Sequence, residues 1–398
     1  MQHFVAMLWD AEDCEARATA FRLKRRFVTP GADWEAVVDC SEMLVFVQTK
    51  AGRACPRHVL ADQQGVIVGH LFRRDEAGRG VAASLGATAS REIVESACSA
   101  LIQDYWGAYV ALVRSVRSAR AWILRDCSGL QPCYTMRHDH VTLAFADIGD
   151  LQPLRLPSFT LNPEYLAAFV WDTELQVRAC GLKELTEVLA GECVALERSH
   201  TEQFPLWTPG DVWRRRRIED FDDAAALLRE TTQLCISSWS QAFDEILLKL
   251  SGGLDSAIVL GCLANARAGG ACINLYAGNS FSDERHYARV AASRAGFALI
   301  EEALSSSVPV FDASLFAMPL TAKPSIPPIL LKLHIESLNR VLRSGSTDSV
   351  WTGQGGDNLF LSVRNDLAAA DYRFTHGLRP ALLGAIADAA RSLFPRLS

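Results

Sequence analysis

One stretch constrains this chain of 398 residues more than any other. Ile246 to Leu250 form a largely apolar run that stops at Ser251, Gly252 and Gly253, and from Ser256 to Ala266 a helical pattern follows with Ala257, Leu260 and Leu263 on one face. That is a strand, a tight loop and a helix. Such a loop turns its backbone N–H groups and the Ser251 and Ser256 hydroxyls toward one spot, at the positive end of the helix, where a pyrophosphate can sit. Gly252 and Gly253 permit the close backbone approach that a side chain would block. Asp255 adds a hard oxygen ligand of the kind Mg2+ takes beside phosphate oxygens. The Gly-Lys-Ser/Thr ending of a Walker loop is missing.

A second motif lies further on, where Trp351 to Phe360 read Trp-Thr-Gly-Gln-Gly-Gly-Asp-Asn-Leu-Phe. Ser349 to Thr352 has the character of a short strand, and the glycines at 353, 355 and 356 bend the chain so that Asp357 emerges at the strand's carboxyl end. Ligands of open α/β sheets bind at that edge. Asp255 and Asp357 would then hold a magnesium pyrophosphate from two separate strand ends. Between the motifs, Ala271 to Ala277 forms another apolar strand, and Ser282-Asp283-Glu284 opens a helix that ends near Gly296. Pro327 and Pro328 open a further helix, Ile329 to Leu342, closed by Gly345.

Ser-Gly-Gly-Leu-Asp-Ser at 251–256 resembles the pyrophosphate-binding loop of the adenine-nucleotide α-hydrolase enzymes, which cleave ATP to AMP and pyrophosphate. With Gly-Gln-Gly-Gly-Asp at 353–357 behind it, the chain is similar to the asparagine synthetase family. The resemblance implies a doubly wound α/β (PP-loop) domain. It implies nucleotide contacts from Ser251, Gly252, Gly253, Leu254, Asp255, Ser256, Tyr276, Gly353, Gly355 and Gly356. Asp255 and Asp357 would carry Mg2+, and Asp255, Gln354 and Asp357 would stand at the reaction centre. The family's shared chemistry is attack of a carboxylate on the α-phosphorus of ATP, followed by attack of a nitrogen on the acyl-adenylate. Family members also carry an Asp-Glu and a helix after the second strand, matched here by Asp283 and Glu284, which serve equally well as a plain helix cap.

The amino-terminal half adds strand-like segments at Tyr105 to Val113, Ala121 to Arg125 and Val141 to Ala146, with turns at 126–129 and 138–139. Trp-Gly-Ala-Tyr-Val-Ala-Leu-Val, Leu-Arg-Asp-Cys-Ser-Gly-Leu-Gln-Pro-Cys-Tyr and Leu-Ala-Phe-Ala-Asp look like the late strands of an Ntn-type glutamine amidotransferase domain, an α+β sandwich. Working glutaminases of that kind expose a cysteine at the extreme amino terminus. This chain opens Met1-Gln2-His3, and its first cysteine, Cys14, cannot supply a terminal amine as base. The domain therefore resembles a degenerate glutaminase. The expected organisation is an amidotransferase-like domain over 1–205, a linker over 206–223 and an ATP-pyrophosphatase synthetase domain over 224–398. Arg214 to Arg217, followed by Glu219, Asp220, Asp222 and Asp223, has the balance of a solvated linker.

Composition excludes several classes. A formal net charge of −6 gives no global attraction to nucleic acid. The 11 cysteines are scattered and contain no Cys-x-x-Cys pair, which argues for reduced thiols in a cytoplasm and against a disulfide framework or zinc site. His138 and His140 form a lone His-x-His in a polar turn, without other metal ligands. Asp10, Glu12 and Asp13 come too early for a signal peptide, and no apolar run is long enough to span a bilayer.

Without glutaminase chemistry, nitrogen must come from free ammonia or from an amine in the substrate, and an intramolecular amine replaces a bimolecular encounter by a local one. Asparagine synthetases typically carry Glu where this chain has Gln354 and a second Glu after the aspartate, where it has Asn358. Gly-Gln-Gly-Gly-Asp-Asn-Leu-Phe, the silent amidotransferase half and the segment Leu367 to Arg391 look most like lasso peptide cyclases. Those enzymes join a peptide's amino-terminal amine to an Asp or Glu side chain. That implies a precursor core peptide as substrate and a leader peptidase or leader-binding protein as partner. Enzymes of this type also carry a lysine in a later helical region, whereas no lysine follows Lys332 here. A shortened chain is expected, or substitution by Lys323, Lys332 or an arginine. An ammonia-dependent asparagine synthetase or another small-molecule amide ligase, and a non-catalytic relative, stay open beside the cyclase.

Overall fold

The computed structural model describes residues 2–28, 33–49, 55–75, 79–156, 158–173, 175–197, 200–215, 218–276, 283–304, 320–324, 337–343, 347–356, 372–373, 377–380, 382–384 and 386. By internal contacts the chain forms two compact units, Met1–Ala242 with Ser307–Glu336, and Phe243–Ser306 with Ser337–Ser398.

In the first unit the chain runs β1 (Phe4–Leu8), α1 (Cys14–Phe27), β2 (Trp34–Asp39), β3 (Met43–Gln48), β4 (Arg57–Val59), β5 (Gly65–Arg74), β6 (Gly80–Ala82), α2 (Ala87–Glu95), α3 (Ser99–Asp104), β7 (Trp106–Ser115) and β8 (Arg120–Arg125). It continues through β9 (Tyr134–His138), β10 (Val141–Phe145), α4 (Pro163–Trp171), β11 (Thr186–Glu187), β12 (Glu192–Glu197), β13 (His200–Pro205), α5 (Pro209–Arg215) and α6 (Phe221–Ser240). Antiparallel pairing builds two sheets, one ordered β11-β9-β10-β1-β3-β2, the other β13-β12-β8-β7-β5-β4 with β6 on β5.

Strand β1 shows why the sheets stack. Its side chains alternate, and both faces are buried: Phe4, Ala6 and Leu8 meet Val66, Val68, Val110, Leu112 and Ile123 of the other sheet. Val5 and Met7 instead meet Ala16, Ala20, Leu23 and Phe27 of α1. On the far side, Ile93, Val94 and Leu101 of α2 and α3 cover Ile67, Leu71, Tyr109 and Leu124. The layers are helix, sheet, sheet, helix. Alternation between two apolar faces also explains why Phe4–Leu8 and Met43–Gln48 carry no period-2 signal in the sequence.

The expected linker 206–223 holds α5 and the start of α6, and the division between units falls after Ala242. The reason is packing: Trp239 of α6 lies 5.0 Å from Phe72 and 5.3 Å from His70, both on β5. Among the described residues no helix is long and apolar enough to cross a membrane.

The second unit is a parallel sheet. Its strands are β14 (Ile246–Lys249), β15 (Gly270–Tyr276), β16 (Ala298–Ala303) and β17 (Ser349–Thr352), with α7 (Leu254–Asn265) and α8 (Arg285–Ala295) between the first three. The order in space is β16-β15-β14-β17. Three strands are laid down in one direction and the fourth is added on the other side of the first, so the winding reverses between β14 and β17. A crevice outside the carboxyl ends of strands opens at such a reversal. The register sets Lys249 opposite both Ile273 and Thr352, so the chain segments after β14 and β17 leave the sheet side by side. Helix α7 begins two residues ahead of the expected Ser256, because Gly253 takes an extended conformation and caps it. Helix α8 ends at Gly296 in the left-handed conformation, as glycine permits. Of the helix expected over 329–342, only 337–342 are described, and they are helical.

Candidate active site

The loop after β14 is tied to itself. Ser251 N–H donates to Ser256 Oγ (3.3 Å), Gly253 N–H donates to Ser251 Oγ (3.2 Å), and Ser256 Oγ donates to Gly253 O (3.2 Å). The two hydroxyls converge, 3.1 Å apart, and Ser256 is buried, so these groups brace the loop. Gly252, at φ +106°, brings its backbone against Glu284, where a Cβ would stand 2.6 Å from the Glu284 carbonyl oxygen. Leu254 is exposed on the first turn of α7 and Asp255 follows it, half-buried.

Asn274 was not singled out by the sequence, yet it anchors this loop from β15. Its amide Nδ2 donates to Leu250 O (2.8 Å) and Ser251 O (3.1 Å), and the residue is 2% exposed. A polar residue inside an apolar strand was the available signal. Asn274→Leu should leave the buried Leu250 carbonyl without this donor and free the Ser251 carbonyl, costing about 1–3 kcal/mol of stability and loosening nucleotide binding. Urea denaturation and a nucleotide titration check both.

The second motif packs backbone to backbone on the first. A Cβ at Gly353 would lie 2.5 Å from Ser256 N, and one at Gly356 would collide with the Asp255 carboxyl group. Gly355 (φ +98°) turns the chain, Gly356 N–H donates to Gly353 O (3.3 Å), and Gln354 N–H donates to Thr352 Oγ1 (3.3 Å). Gln354 is exposed. Asp357 and Asn358 lie outside the described residues, as does Leu367 to Asp371.

Asp283 is committed elsewhere. Arg285 donates to both its oxygens (2.8 and 2.6 Å), and that pairing pulls the carboxyl pKa down to about 2. The same guanidinium sits 3.9 Å from the centre of the Tyr276 ring, at the end of β15. Lys249 closes β14 half-buried, and desolvation lowers its pKa.

Two other expectations find their places in the first unit. Lys323, considered above as a substitute cation, belongs to that unit and is paired there with Glu187 and Val177 O. Lys332 lies outside the described residues. His140 Nδ1 meets Asp13 Oδ2 at 2.9 Å, and no group of three or more His, Cys, Asp or Glu among the described residues is arranged to hold a metal. At the start of β1, Gln2 is held on both sides by buried Gln131: its N–H donates to Oε1 (2.9 Å) and its carbonyl accepts from Nε2 (2.7 Å). Cys14 opens α1 and is exposed.

Residues 227–393 match the family model described as asparagine synthase, a match that supports an ATP-dependent carbon–nitrogen ligase. Among solved structures, the chain is similar to a glutamine-dependent NAD+ synthetase from Acinetobacter baumannii in complex with ADP, at 15% identity over 46% of this chain and TM-score 0.27. It spans 32% of that protein's length. It is also similar to the glutamine phosphoribosylpyrophosphate amidotransferase of B. subtilis complexed with ADP and GMP, at 9% identity over 88% of this chain and 90% of the other, with TM-score 0.32. No curated protein matches it.

Proposed function

We propose that the second unit is a doubly wound adenine-nucleotide α-hydrolase domain that adenylates a peptide carboxylate with ATP, and that the chain closes a macrolactam on a lasso precursor. The observation that carries the ATP chemistry is the packing of the Gly353–Gly356 turn on Asp255 and Ser256, at the reversal of the sheet. That packing supports nucleotide contacts from Asp255, Ser256, Gly353 and Gly356, and the family resemblance adds Ser251, Gly252, Gly253, Leu254, Tyr276 and Gly355 to the same proposed site. The Asp255 carboxylate is half-buried and has no cation beside it among the described residues, so it fits Mg2+, with Asp357 as the second ligand. Mg2+ bound there would supply charge neutralisation on the departing pyrophosphate. The braced loop presents backbone N–H groups at the start of α7, which favour phosphate oxygens.

The cyclase reading is supported by two residues. Gln354 gives a neutral, exposed amide where a synthetase uses an acid, and Gln2, held by Gln131 just ahead of β1, carries an amide and no thiol. We read the first unit as a degenerate Ntn-type amidotransferase domain. In this proposal the substrate's own amino-terminal amine attacks the acyl-adenylate, with AMP leaving. The enzyme works in the cytoplasm beside a leader peptidase and a leader-binding protein, without nucleic acid or membrane.

Incubation with ATP, Mg2+ and a leader-free core peptide should yield a product lighter by one water, together with AMP and pyrophosphate. Conversion of aspartate and ammonia to asparagine, with no peptide product, would move the assignment to the small-molecule ligase. Glutamine supplied with ATP and acceptor should release no glutamate above a no-enzyme control. Release that Cys14→Ala removes would reverse the amidotransferase reading.

A further inference from the structure

The first unit buries a set of linked polar groups that amide ligation does not use. Its centre is Glu187 on β11, 7% exposed. One carboxylate oxygen accepts from Arg125 Nη1 at 2.7 Å, and the other meets Lys323 Nζ. Arg125 also donates to Gln131 O (2.9 Å), Val188 O (2.7 Å) and Gly129 O (2.6 Å). Gln131 in turn grips Gln2. The network thus runs from the start of β1, through Arg125 and Glu187, to Lys323.

Lys323 stands apart in sequence. It lies within the 227–393 asparagine synthase region, in a part of the chain that leaves the second unit after Ser306 and returns at Ser337. The described piece of that excursion, 320–324, is docked firmly. Ala322 is 3% exposed and its carbonyl accepts the Gly181 N–H at 2.8 Å, while Lys323 Nζ also donates to Val177 O. A Cβ at Gly181 would stand 3.4 Å from the same Ala322 oxygen, so the two segments touch main chain to main chain. The charge of this carboxylate is balanced by two cations, although Oε2 meets Lys323 as an ion pair and not in hydrogen-bond geometry. Removing one cation leaves a buried group short of a partner, which the fold resists.

We propose that the Lys323–Glu187 pair is a latch by which the amidotransferase-like unit holds an excursion of the synthase region, and that turnover by that region depends on it. The turnover half of the proposal rests on the ligase reading above. Fixing 320–324 divides the span between Ser306 and Ser337 into two shorter ones, and the ends of a shorter span have fewer arrangements open to them.

The test uses the full chain with Lys323→Met, which keeps the side chain's bulk, and Lys323→Arg, which keeps its charge. Hydrogen exchange of the Gly181 amide reports docking of 320–324 directly. The Tyr109 amide, bound to the buried Asp126 carboxylate, reports the surrounding fold. Gly181 should exchange at least tenfold faster in Lys323→Met and near the wild-type rate in Lys323→Arg, with Tyr109 unchanged in both. ATP–pyrophosphate exchange by the same samples should show kcat lowered several-fold in Lys323→Met with the KM for ATP unchanged. Wild-type protection at Gly181 in Lys323→Met overturns the latch, and faster Gly181 exchange with undiminished turnover overturns its coupling to catalysis. A wild-type protein without ATP–pyrophosphate exchange refutes the ligase reading instead, and the amide rates then decide the latch alone.

Discussion

Asp255→Ala is expected to lower AMP and pyrophosphate formation by at least about 10³-fold, roughly 4 kcal/mol of transition-state stabilisation, while leaving the unfolding midpoint within a few degrees of wild type. The asymmetry follows from where the side chain stands. Asp255 lies in the first turn of α7, half-buried, with no ion pair to a described residue, so its removal strands no partner. What the fold loses is the interaction of an acid with the helix dipole, about 0.3–1 kcal/mol. On the proposed function, what the chemistry loses is the carboxylate that would face phosphate and Mg2+, in a place where nothing described can replace it. Asp357→Ala should behave alike in activity. ATP–pyrophosphate exchange and thermal unfolding on the same sample separate the two effects. A variant that releases AMP at the wild-type rate would remove Asp255 from the site.

The sequence disclosed most where local chemistry dictated the backbone. Ser349 to Thr352 forms a strand with the expected bounds, and the loop from Ser251 to Gly253 joins β14 to α7, because glycine and a capping start leave few alternatives. Asp283 and Glu284 do precede a helix, yet the neighbour that fixes Asp283 is Arg285, a residue with no motif to mark it. Long-range partners were invisible for the same reason. Asn274 serves a loop 23 or 24 residues away, and Gln131 holds Gln2 across 129 residues. Such pairings depend on the register of the sheets, which no single segment encodes. Lys323 is the sharpest instance. As a bare cation in the synthase region it looked available for catalysis, and only tertiary contacts reveal that Glu187 occupies it.

Gly353→Ala carries the second large effect, and its cause is purely steric. The added Cβ would lie 2.5 Å from Ser256 N and 2.8 Å from both Asp255 C and Ser256 Cα. Those atoms are backbone of the first turn of α7, and none can rotate away as a side-chain tip could. The turn after β17 must therefore shift outward by about 1 Å, a displacement that commonly costs on the order of 10² in rate when it misplaces reacting groups. Gly355→Ala is the natural contrast. It adds strain, since φ is +98°, but meets no atom within 4 Å, so its cost should be about 1–2 kcal/mol of stability with much of the activity retained. Measured as kcat/KM for ATP in pyrophosphate exchange, Gly353→Ala should fall about a hundredfold and Gly355→Ala at most about tenfold. Equal losses in the two variants would mean that flexibility of the turn, and not its close approach to Asp255 and Ser256, is what the site requires.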